Sequence, residues 1–197
     1  MKLYFSRHGE SEANRLRIIS NRDLPHPLTE AGRLQAEALA ERLRGKPLTR
    51  IYASPILRAR QTGESLSAAL TVPLELTDGL REPDCGVLEG RGDPQAWSEH
   101  KSWLDAWLDG QKRDQGPQGG ETYNTVRGRF IRFVMDLAGK FGESPAEFIL
   151  VTHGAVMLFG LPGMVEGLDA RYLLEHGLDH AGLLVVEYKG GILTYRE

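Results

Sequence analysis

Two short apolar runs in this chain are each followed closely by the dipeptide His-Gly. This shared pattern restricts the fold more than any other feature of the sequence. The first run, Leu3-Tyr4-Phe5, is followed by Arg7-His8-Gly9. The second run, Phe148 to Thr152, is followed by His153-Gly154. Runs of this length and composition predict buried strands. Because ligands bind at the carboxyl ends of strands in open α/β sheets, the pattern predicts that both imidazoles lie in one pocket.

Helix and strand signals alternate along the rest of the chain. The predicted helices begin at Thr29, Ser54-Pro55 and Thr122, and the other predicted strands lie at 50–53, 73–76, 183–188 and 192–195. Residues 12–27 are predicted to form a polar loop, and residues 155–180 to be irregular or helical. Alternating strands and helices indicate an α/β fold, a three-layer αβα sandwich with a mostly parallel central sheet. We interpret residues 1–197 as a single domain with a small helical, cap-like insertion at about 92–118 over the site.

Composition argues against several classes of function. The net charge is −3 and the pI is near 6.1, which disfavours a nucleic-acid partner held by general electrostatics. The single cysteine, Cys85, cannot form an internal disulfide. The longest apolar region, Phe148 to Val165, is interrupted by polar residues and a proline, so no membrane span is predicted. Without a signal-peptide pattern either, we expect a cytoplasmic enzyme; the oligomeric state stays open.

The stretch Arg7-His8-Gly9 has the chemistry of a phosphate site. A guanidinium grips a phosphate in a fixed fork, and a neutral imidazole offers a lone pair. The glycine lets the backbone approach a ligand closely. Taken alone, such a triplet is more often structural, and a histidine like His153 is more often a hydrogen-bonded core residue, so the interpretation depends on the other segments.

Three further segments complete a recognisable series. Ser54 to Thr62 reads Ser-x-x-x-Arg-Ala-x-x-Thr, Leu80 to Gly90 reads Leu-x-Glu-x-x-x-Gly-x-x-Glu-Gly, and Gly119 to Thr122 reads Gly-Gly-Glu-Thr. In the last segment, Glu121 is expected to be stabilised by the dipole of the helix that follows. With Arg7-His8-Gly9-Glu10 and His153-Gly154, the series resembles the histidine phosphatase superfamily, the phosphoglycerate-mutase-like proteins.

The resemblance implies a two-step phosphoryl transfer. His8 would be the nucleophile that becomes phosphorylated, and Glu82 would give a proton to the leaving oxygen and then activate water. His153 would join the arginines in holding the phosphoryl oxygens. The implied catalytic residues are His8, Glu82 and His153, and the implied phosphate-binding residues are Arg7, Arg58 and Asn14.

Two of these residues could instead have no role in the chemistry. Arg58 would otherwise be a solvated helix charge, as we expect of Arg60, and Glu82 would otherwise pair with Arg81 or Arg91.

The chain also departs from the family pattern. Ala13-Asn14 stands where a Trp-Asn is common, and Ser20 or Asn21 stands where a Gln is usual. One phosphate contact is therefore in doubt, although the amide of Asn14 can still donate to a phosphoryl oxygen.

No metal or other cofactor is implied, because the positive charge comes from side chains. His176 and His180 stand four residues apart, but Gly177 lies between them and no further ligand set accompanies them. The spacing therefore does not favour a zinc pair.

The resemblance implies a phosphomonoesterase that acts on a small phosphorylated metabolite. A phosphoglycerate mutase is the alternative, but the family's mutases carry Glu-Arg-x-Tyr-Gly and Asn-Lys where this chain has Glu82-Pro83-Asp84-Cys85-Gly86 and Gly90-Arg91. An inactive binding protein is a third candidate, disfavoured because the implied catalytic residues are retained. In the insertion, Trp97, Trp103 and Trp107 either line a pocket for an apolar leaving group or only pack the insertion onto the core.

Overall fold

The computed structural model describes residues 1–176 and 179–196, which build a seven-stranded sheet with helices on both faces. The strands are β1 (Lys2–Arg7), β2 (Leu48–Ala53), β3 (Leu74–Leu76), β4 (Glu147–Thr152), β5 (Val165–Glu166), β6 (Leu183–Lys189) and β7 (Ile192–Arg196). The helices are α1 (Glu12–Leu16), α2 (Glu30–Leu43), α3 (Leu57–Leu70), α4 (Pro94–Leu108), α5 (Tyr123–Phe141), α6 (Gly154–Gly160) and α7 (Ala170–Glu175). Within these residues, no helix combines the length and the apolar character that a membrane span requires.

The order of the strands confirms the predicted α/β fold with a mostly parallel sheet. The order is β3-β2-β4-β1-β6-β7-β5. The pairs β1/β4, β2/β4, β2/β3 and β5/β7 are parallel, whereas β6 runs antiparallel to both β1 and β7. The closing hairpin of β6 and β7 is also confirmed. Because both faces of the central strands are covered, their sequences are continuous apolar runs rather than alternating ones.

Strand β1 divides the core between the two faces of the sheet. Leu3 and Phe5 point to the face covered by α5 and α6, where Phe5 packs against Phe130. Tyr4 points to the opposite face, which is covered by α2 and α3. Alternation along a strand therefore gives each helical layer its own apolar core.

The register of β1 with β4 determines where the site forms. Arg7 pairs with Thr152 across the two parallel strands. The backbone N–H of His8 then donates to the carbonyl oxygen of Thr152 at 3.0 Å. His8 and His153 consequently leave the sheet side by side, at the carboxyl ends of two neighbouring strands.

Two glycines allow α2 to press against the loop that follows His8. A Cβ at Gly9 would lie 2.4 Å from the carbonyl oxygen of Gly32, and one at Gly32 would lie 2.0 Å from that of Glu10. Thr29 caps α2 by accepting from the N–H of Gly32 at 3.0 Å, and its hydroxyl donates to the Glu10 carboxylate at 2.7 Å. The backbone beside His8 is therefore fixed by close contact with the start of a helix.

The predicted polar loop at 12–27 is wrong in its first part, because α1 forms there. The hydroxyl of Ser11 accepts from the N–H of Asn14, and Oδ1 of Asn14 accepts from the N–H of Ser11 at 3.0 Å. Such a reciprocal cap satisfies donors that a five-residue helix otherwise leaves exposed. The usual sequence signal has Glu or Gln in the last place, so the Ser-x-x-Asn form was not recognised as a helix start.

The helix start predicted at Ser54-Pro55 is also wrong by a few residues. Helix α3 begins at Leu57, and Ser54 does not cap it. The Ser54 hydroxyl instead lies 2.8 Å from Nε2 of His153 and accepts from the N–H of Ile56 at 3.3 Å. A serine that resembles a cap therefore serves the site.

For residues 155–180 the predicted helices occur as α6 and α7, but the short strand β5 was missed. It consists of two residues beside β7, which is too short for a sequence pattern. Gly177 and Leu178 lie outside the described residues.

Candidate active site

His8 lies at the end of β1 and its tautomer is fixed by two hydrogen bonds. Its Nδ1 lies 2.7 Å from the carbonyl oxygen of Gly9, which can only accept, so Nδ1 carries the proton. Its Nε2 accepts from Nε–H of Arg58 at 2.9 Å. The ring therefore presents the lone pair of Nε2 to the guanidinium.

The surroundings of His8 keep the imidazole neutral. The residue is 2% exposed, and this burial lowers its pKa well below the usual value. The charges of Arg58 and Arg7 lower the pKa further. A buried neutral imidazole with a directed lone pair is a competent nucleophile at neutral pH.

Arg58 stands in the first turn of α3 and is 5% exposed, so it is not a solvated helix charge. Its remaining donors reach the carbonyl oxygen of Ser20 and, at 3.2 Å, Oδ1 of Asn21. Burial lowers the pKa of Arg58 to about 10, against the opposing effect of the Glu82 carboxylate, and the guanidinium stays charged at neutral pH. Arg60 on the same helix is exposed, as expected, and pairs only with Glu64.

His153 is fully buried, and its ring centre lies 5.0 Å from that of His8. Its Nε2 lies 2.8 Å from Oγ of Ser54, whereas its Nδ1 is buried with no partner among residues 1–176 and 179–196. Burial lowers the pKa of His153 well below the usual value, and Arg58 and His8 add to the effect. When the Ser54 hydroxyl donates to Nε2, the ring proton sits on Nδ1, the atom that still needs an acceptor.

The carboxylate of Glu82 is held by the first turn of α6. Its two oxygens accept from the N–H groups of Ala155 at 3.1 Å and Val156 at 3.0 Å. The start of a helix favours negative charge, because its N–H groups are unpaired within the helix. The alternative salt bridges do not form, since Arg81 pairs with Asp78 and Asp23 and Arg91 pairs with Asp93. Helix α6 begins directly after His153, so it positions both residues.

Arg129 of α5 holds the loop that carries Glu82. One of its nitrogens donates to the carbonyl oxygen of Arg81 at 2.7 Å and another to that of Glu82 at 3.3 Å. Two of its nitrogens also bind the Glu121 carboxylate, each at 2.9 Å. Glu121 was expected to interact with the dipole of α5, but its partners are Arg129 and the N–H of Asp84. The Gly-Gly-Glu-Thr segment therefore anchors the loop.

The two remaining predicted residues lie on the elements that precede and follow His8. Arg7 ends β1, and burial lowers its pKa, against the opposing charges of Glu82 and Asp179. Asn14 stands in α1, where its Oδ1 accepts from the N–H and the hydroxyl of Ser11. These bonds fix the amide through its oxygen and do not use its NH₂ group.

Sequence reasoning missed His180, whose ring centre lies 5.7 Å from that of His8. The residue precedes β6, and the N–H of the next residue, Ala181, donates to the carbonyl oxygen of Arg7 at 2.9 Å. Because β6 pairs with β1, the segment before β6 is brought to the end of β1 where His8 lies. Only the pairing of these strands, which the sequence did not predict, could have identified it.

Within the described residues, no group of three or more His, Cys, Asp or Glu side chains is arranged to hold a metal ion. His176, the other half of the possible zinc pair, instead stacks on Tyr172 with ring centres 4.1 Å apart. Gly177, on which the argument against that pair partly depended, lies outside the described residues.

A narrow pocket with a largely apolar wall lies between Glu82 and α4. Its walls include Pro83, Trp103, Leu104 and Trp107, with His100 among its polar members. Trp107 also packs against Phe159 of α6, with ring centres 5.5 Å apart, so it both lines the pocket and joins α4 to the core. Trp97 is not among the residues that line this pocket. It packs against a small buried cluster of Ile19, Cys85, Leu88 and Ala96, and its indole N–H donates to the carbonyl oxygen of Arg17 at 2.7 Å.

Comparisons with known proteins agree with this fold. A sequence model of the histidine phosphatase superfamily (branch 1) matches residues 3–196. The probable phosphoglycerate mutase GpmB of Photorhabdus laumondii is 32% identical over 191 residues, which are 96% of this chain and 86% of that protein. Bacillus stearothermophilus YhfR has a TM-score of 0.82 at 26% identity, covering 98% of this chain and 93% of its own. A mycobacterial glucosyl-3-phosphoglycerate phosphatase has a TM-score of 0.81 at 23% identity, covering 99% and 96%.

Proposed function

Because this chain belongs to the histidine phosphatase superfamily, we propose that it is a metal-independent phosphomonoesterase that works through a phosphohistidine at His8. The two hydrogen bonds of His8 carry this proposal. The Gly9 carbonyl keeps the proton on Nδ1, and the Nε–H of Arg58 donates to the lone pair of Nε2. A phosphoryl group that entered there would meet the nucleophilic nitrogen and a guanidinium at the same place.

In the first step, Nε2 of His8 attacks phosphorus in line with the leaving oxygen. The N–P bond forms as the P–O bond to the leaving group breaks, and protonated Glu82 gives its proton to that oxygen. The Nε–H of Arg58, which binds His8 in the free enzyme, then donates to a phosphoryl oxygen instead. His153 donates from Nδ1, and Arg7 and Asn14 complete the set of phosphate ligands.

In the second step, the carboxylate of Glu82 takes a proton from water as the water attacks phosphorus. The N–P bond breaks, its electron pair returns to Nε2, and inorganic phosphate leaves. The mechanism needs no metal ion, because Arg7 and Arg58 supply two positive charges against the dianionic phosphoryl group.

A phosphoglycerate mutase is the second candidate, favoured by the name of the relative that is 32% identical. A mutase must bind the carboxylate of its substrate as well as the phosphate, and a further cation serves that purpose. The arginines around Glu82 already have carboxylate partners: Arg22 with Asp84, Arg81 with Asp78, Arg91 with Asp93 and Arg129 with Glu121. This pairing favours a phosphatase over a mutase.

The proposed function is tested by assaying the chain with 4-nitrophenyl phosphate in excess EDTA, followed by a panel of sugar, nucleotide, amino-acid and glycerate phosphates. We expect phosphate release that EDTA does not affect. Vanadate should inhibit far more strongly than phosphate, because its five-coordinate form resembles the transition state. Loss of activity in EDTA that a divalent metal restores would contradict the mechanism. Interconversion of phosphoglycerates faster than phosphate release would identify a mutase.

Replacing Arg58 with alanine should weaken phosphate binding and slow turnover together, because the charge that it meets is present in the substrate and in the transition state. Hydrogen bonds to charged groups of this kind correspond to a loss of about ten- to hundredfold. Arg58→Lys keeps the charge but not the fork, so it should recover only part of the loss. Inhibition constants for phosphate and kcat measure the two effects separately.

Arg60→Ala is the matched control, since Arg60 is exposed on the same helix. Its kinetics should equal those of the wild type. Equal kinetics for Arg58→Ala as well would mean that Arg58 has only a structural role.

A further inference from the structure

The three histidines at the carboxyl edge of the sheet lie in the order of the strands that carry them. Strands β4 and β6 flank β1, so His153 and His180 are on opposite sides of His8. Their ring centres lie 5.0 Å and 5.7 Å from that of His8. His8 and His153 each have a role in the proposed mechanism, whereas His180 has none.

His180 has a buried nitrogen without a hydrogen-bond partner in the described part of the chain. Its Nε2 is inaccessible to solvent and has no hydrogen-bond partner among residues 1–176 and 179–196. The same is true of Nδ1 of His153. Buried polar atoms normally have partners, and one without a partner beside a catalytic residue indicates a place for a ligand.

Charges of both signs face His180. Arg7 and Arg58 face it from β1 and α3, whereas Glu10 and Asp179 oppose them from the loop after β1 and from the segment before β6. Burial, followed by the charge of Arg7, lowers the pKa of His180 to about 4, so the free enzyme holds a neutral ring at neutral pH. A neutral imidazole at this place can donate one hydrogen bond without repelling the arginines.

We propose that His180 is a further substrate-binding residue, whose Nε2 donates a hydrogen bond to the phosphoryl group from the side of His8 opposite His153. This inference rests on the proposed phosphatase function. It assigns one flank of the phosphoryl group to each neighbouring histidine, while the arginines balance the charge. The ligand is recognised by its dianionic oxygens, so inorganic phosphate is a sufficient probe.

The contact also makes phosphate binding depend on protons. A bound dianion would raise the pKa of His180 from its low value in the free enzyme, so a proton is taken up on binding as the pH falls toward the raised pKa. Phosphate should therefore bind the wild type increasingly better than a variant without this imidazole as the pH falls below 7. Since the comparison is made between two proteins at each pH, the titration of phosphate itself cancels.

The test compares His180→Ala, His180→Gln and His180→Asn with the wild type. The inhibition constant of inorganic phosphate and kcat/KM for 4-nitrophenyl phosphate should worsen by about ten- to hundredfold in His180→Ala. The amide nitrogen of glutamine reaches the place of Nε2, so His180→Gln should recover much of the loss at neutral pH and lack the added gain at lower pH. Asparagine is too short to do so. Arg171→Ala is the control from the same region, because Arg171 is exposed and pairs with Glu175, and it should behave as the wild type.

If the wild type is active and phosphate inhibits both His180→Ala and His180→Gln as strongly as the wild type, the inference is wrong. The proposed function would be unaffected by that result. Equal losses in His180→Ala and His180→Gln would also overturn the inference, since a donor at the place of Nε2 would not be what matters. A wild type that hydrolyses none of the panel contradicts the proposed function instead. Calorimetry with phosphate then still decides whether His180 binds the anion.

Discussion

Replacing His8 with alanine is expected to remove turnover almost completely, by on the order of 10⁴- to 10⁶-fold, as loss of a covalent nucleophile does elsewhere. His153 is not expected to take its place, because Nε2 of His153 is bound by Ser54 and its ring lies to one side of His8. Stopped-assay kinetics with 4-nitrophenyl phosphate measure the loss. Circular dichroism on the same sample establishes that the variant is folded.

The covalent intermediate itself can be trapped. A rapid quench of the wild type with ³²P-labelled substrate should yield an acid-labile, base-stable phosphoryl group on His8. His153→Ala is the control, since it should react slowly but carry the label on the same residue. Label on His153 in the wild type would reverse the assignment of the two histidines.

Replacing Glu82 with glutamine should slow formation of the phosphohistidine in proportion to the basicity of the leaving oxygen. An alkoxide from a sugar or glycerate phosphate needs a proton as it leaves, so the loss should approach the ~10²–10⁴-fold typical of general acid catalysis. A nitrophenolate leaves readily without a proton, and its phosphorylation step should change much less. Burst kinetics separate this step from the later attack of water, which also uses Glu82.

Glutamine cannot reproduce both hydrogen bonds of Glu82, because its NH₂ group would face one of the N–H donors of α6. Glu89→Gln controls for this effect. The carboxylate of Glu89 also accepts from two backbone N–H groups, those of Asn21 at 2.7 Å and Cys85 at 2.9 Å, but has no assigned chemical function. Any loss in Glu89→Gln should be the same for both leaving groups.

Equal losses for both leaving groups in Glu82→Gln would contradict the assignment of Glu82 as the acid. Asp84 or Glu89 would then be the next candidates.

The sequence predicts those residues of the site that can be recognised from a short segment of the chain. His8 and His153 each follow a buried strand directly, so a rule about strand ends was sufficient to place them together. A motif of nine residues distinguished Arg58, which the structure buries, from the exposed Arg60. These assignments need only the identity of neighbouring residues and the knowledge that the strands are parallel.

The features that the sequence did not predict depend on contacts between distant segments. The partners of Glu82 are the first N–H groups of α6, which lie more than seventy positions away along the chain. His180 was missed because its position depends on β6 running beside β1. Ser54 was predicted to cap a helix, although its hydroxyl binds His153. In each case a local preference was overridden by a partner that only the assembled sheet supplies.

The parallel pairing of β1 with β4 also has a consequence for how the protein becomes active. These strands are far apart along the chain, since Lys2 pairs with Glu147, yet they are neighbours in the middle of the sheet. Contacts between such distant segments form late and slowly, because a long stretch of chain must be closed before they stabilise anything. Helices α2 and α3 can form earlier without bringing the two imidazoles together. The return of phosphate affinity during refolding would therefore report when the centre of the sheet closes.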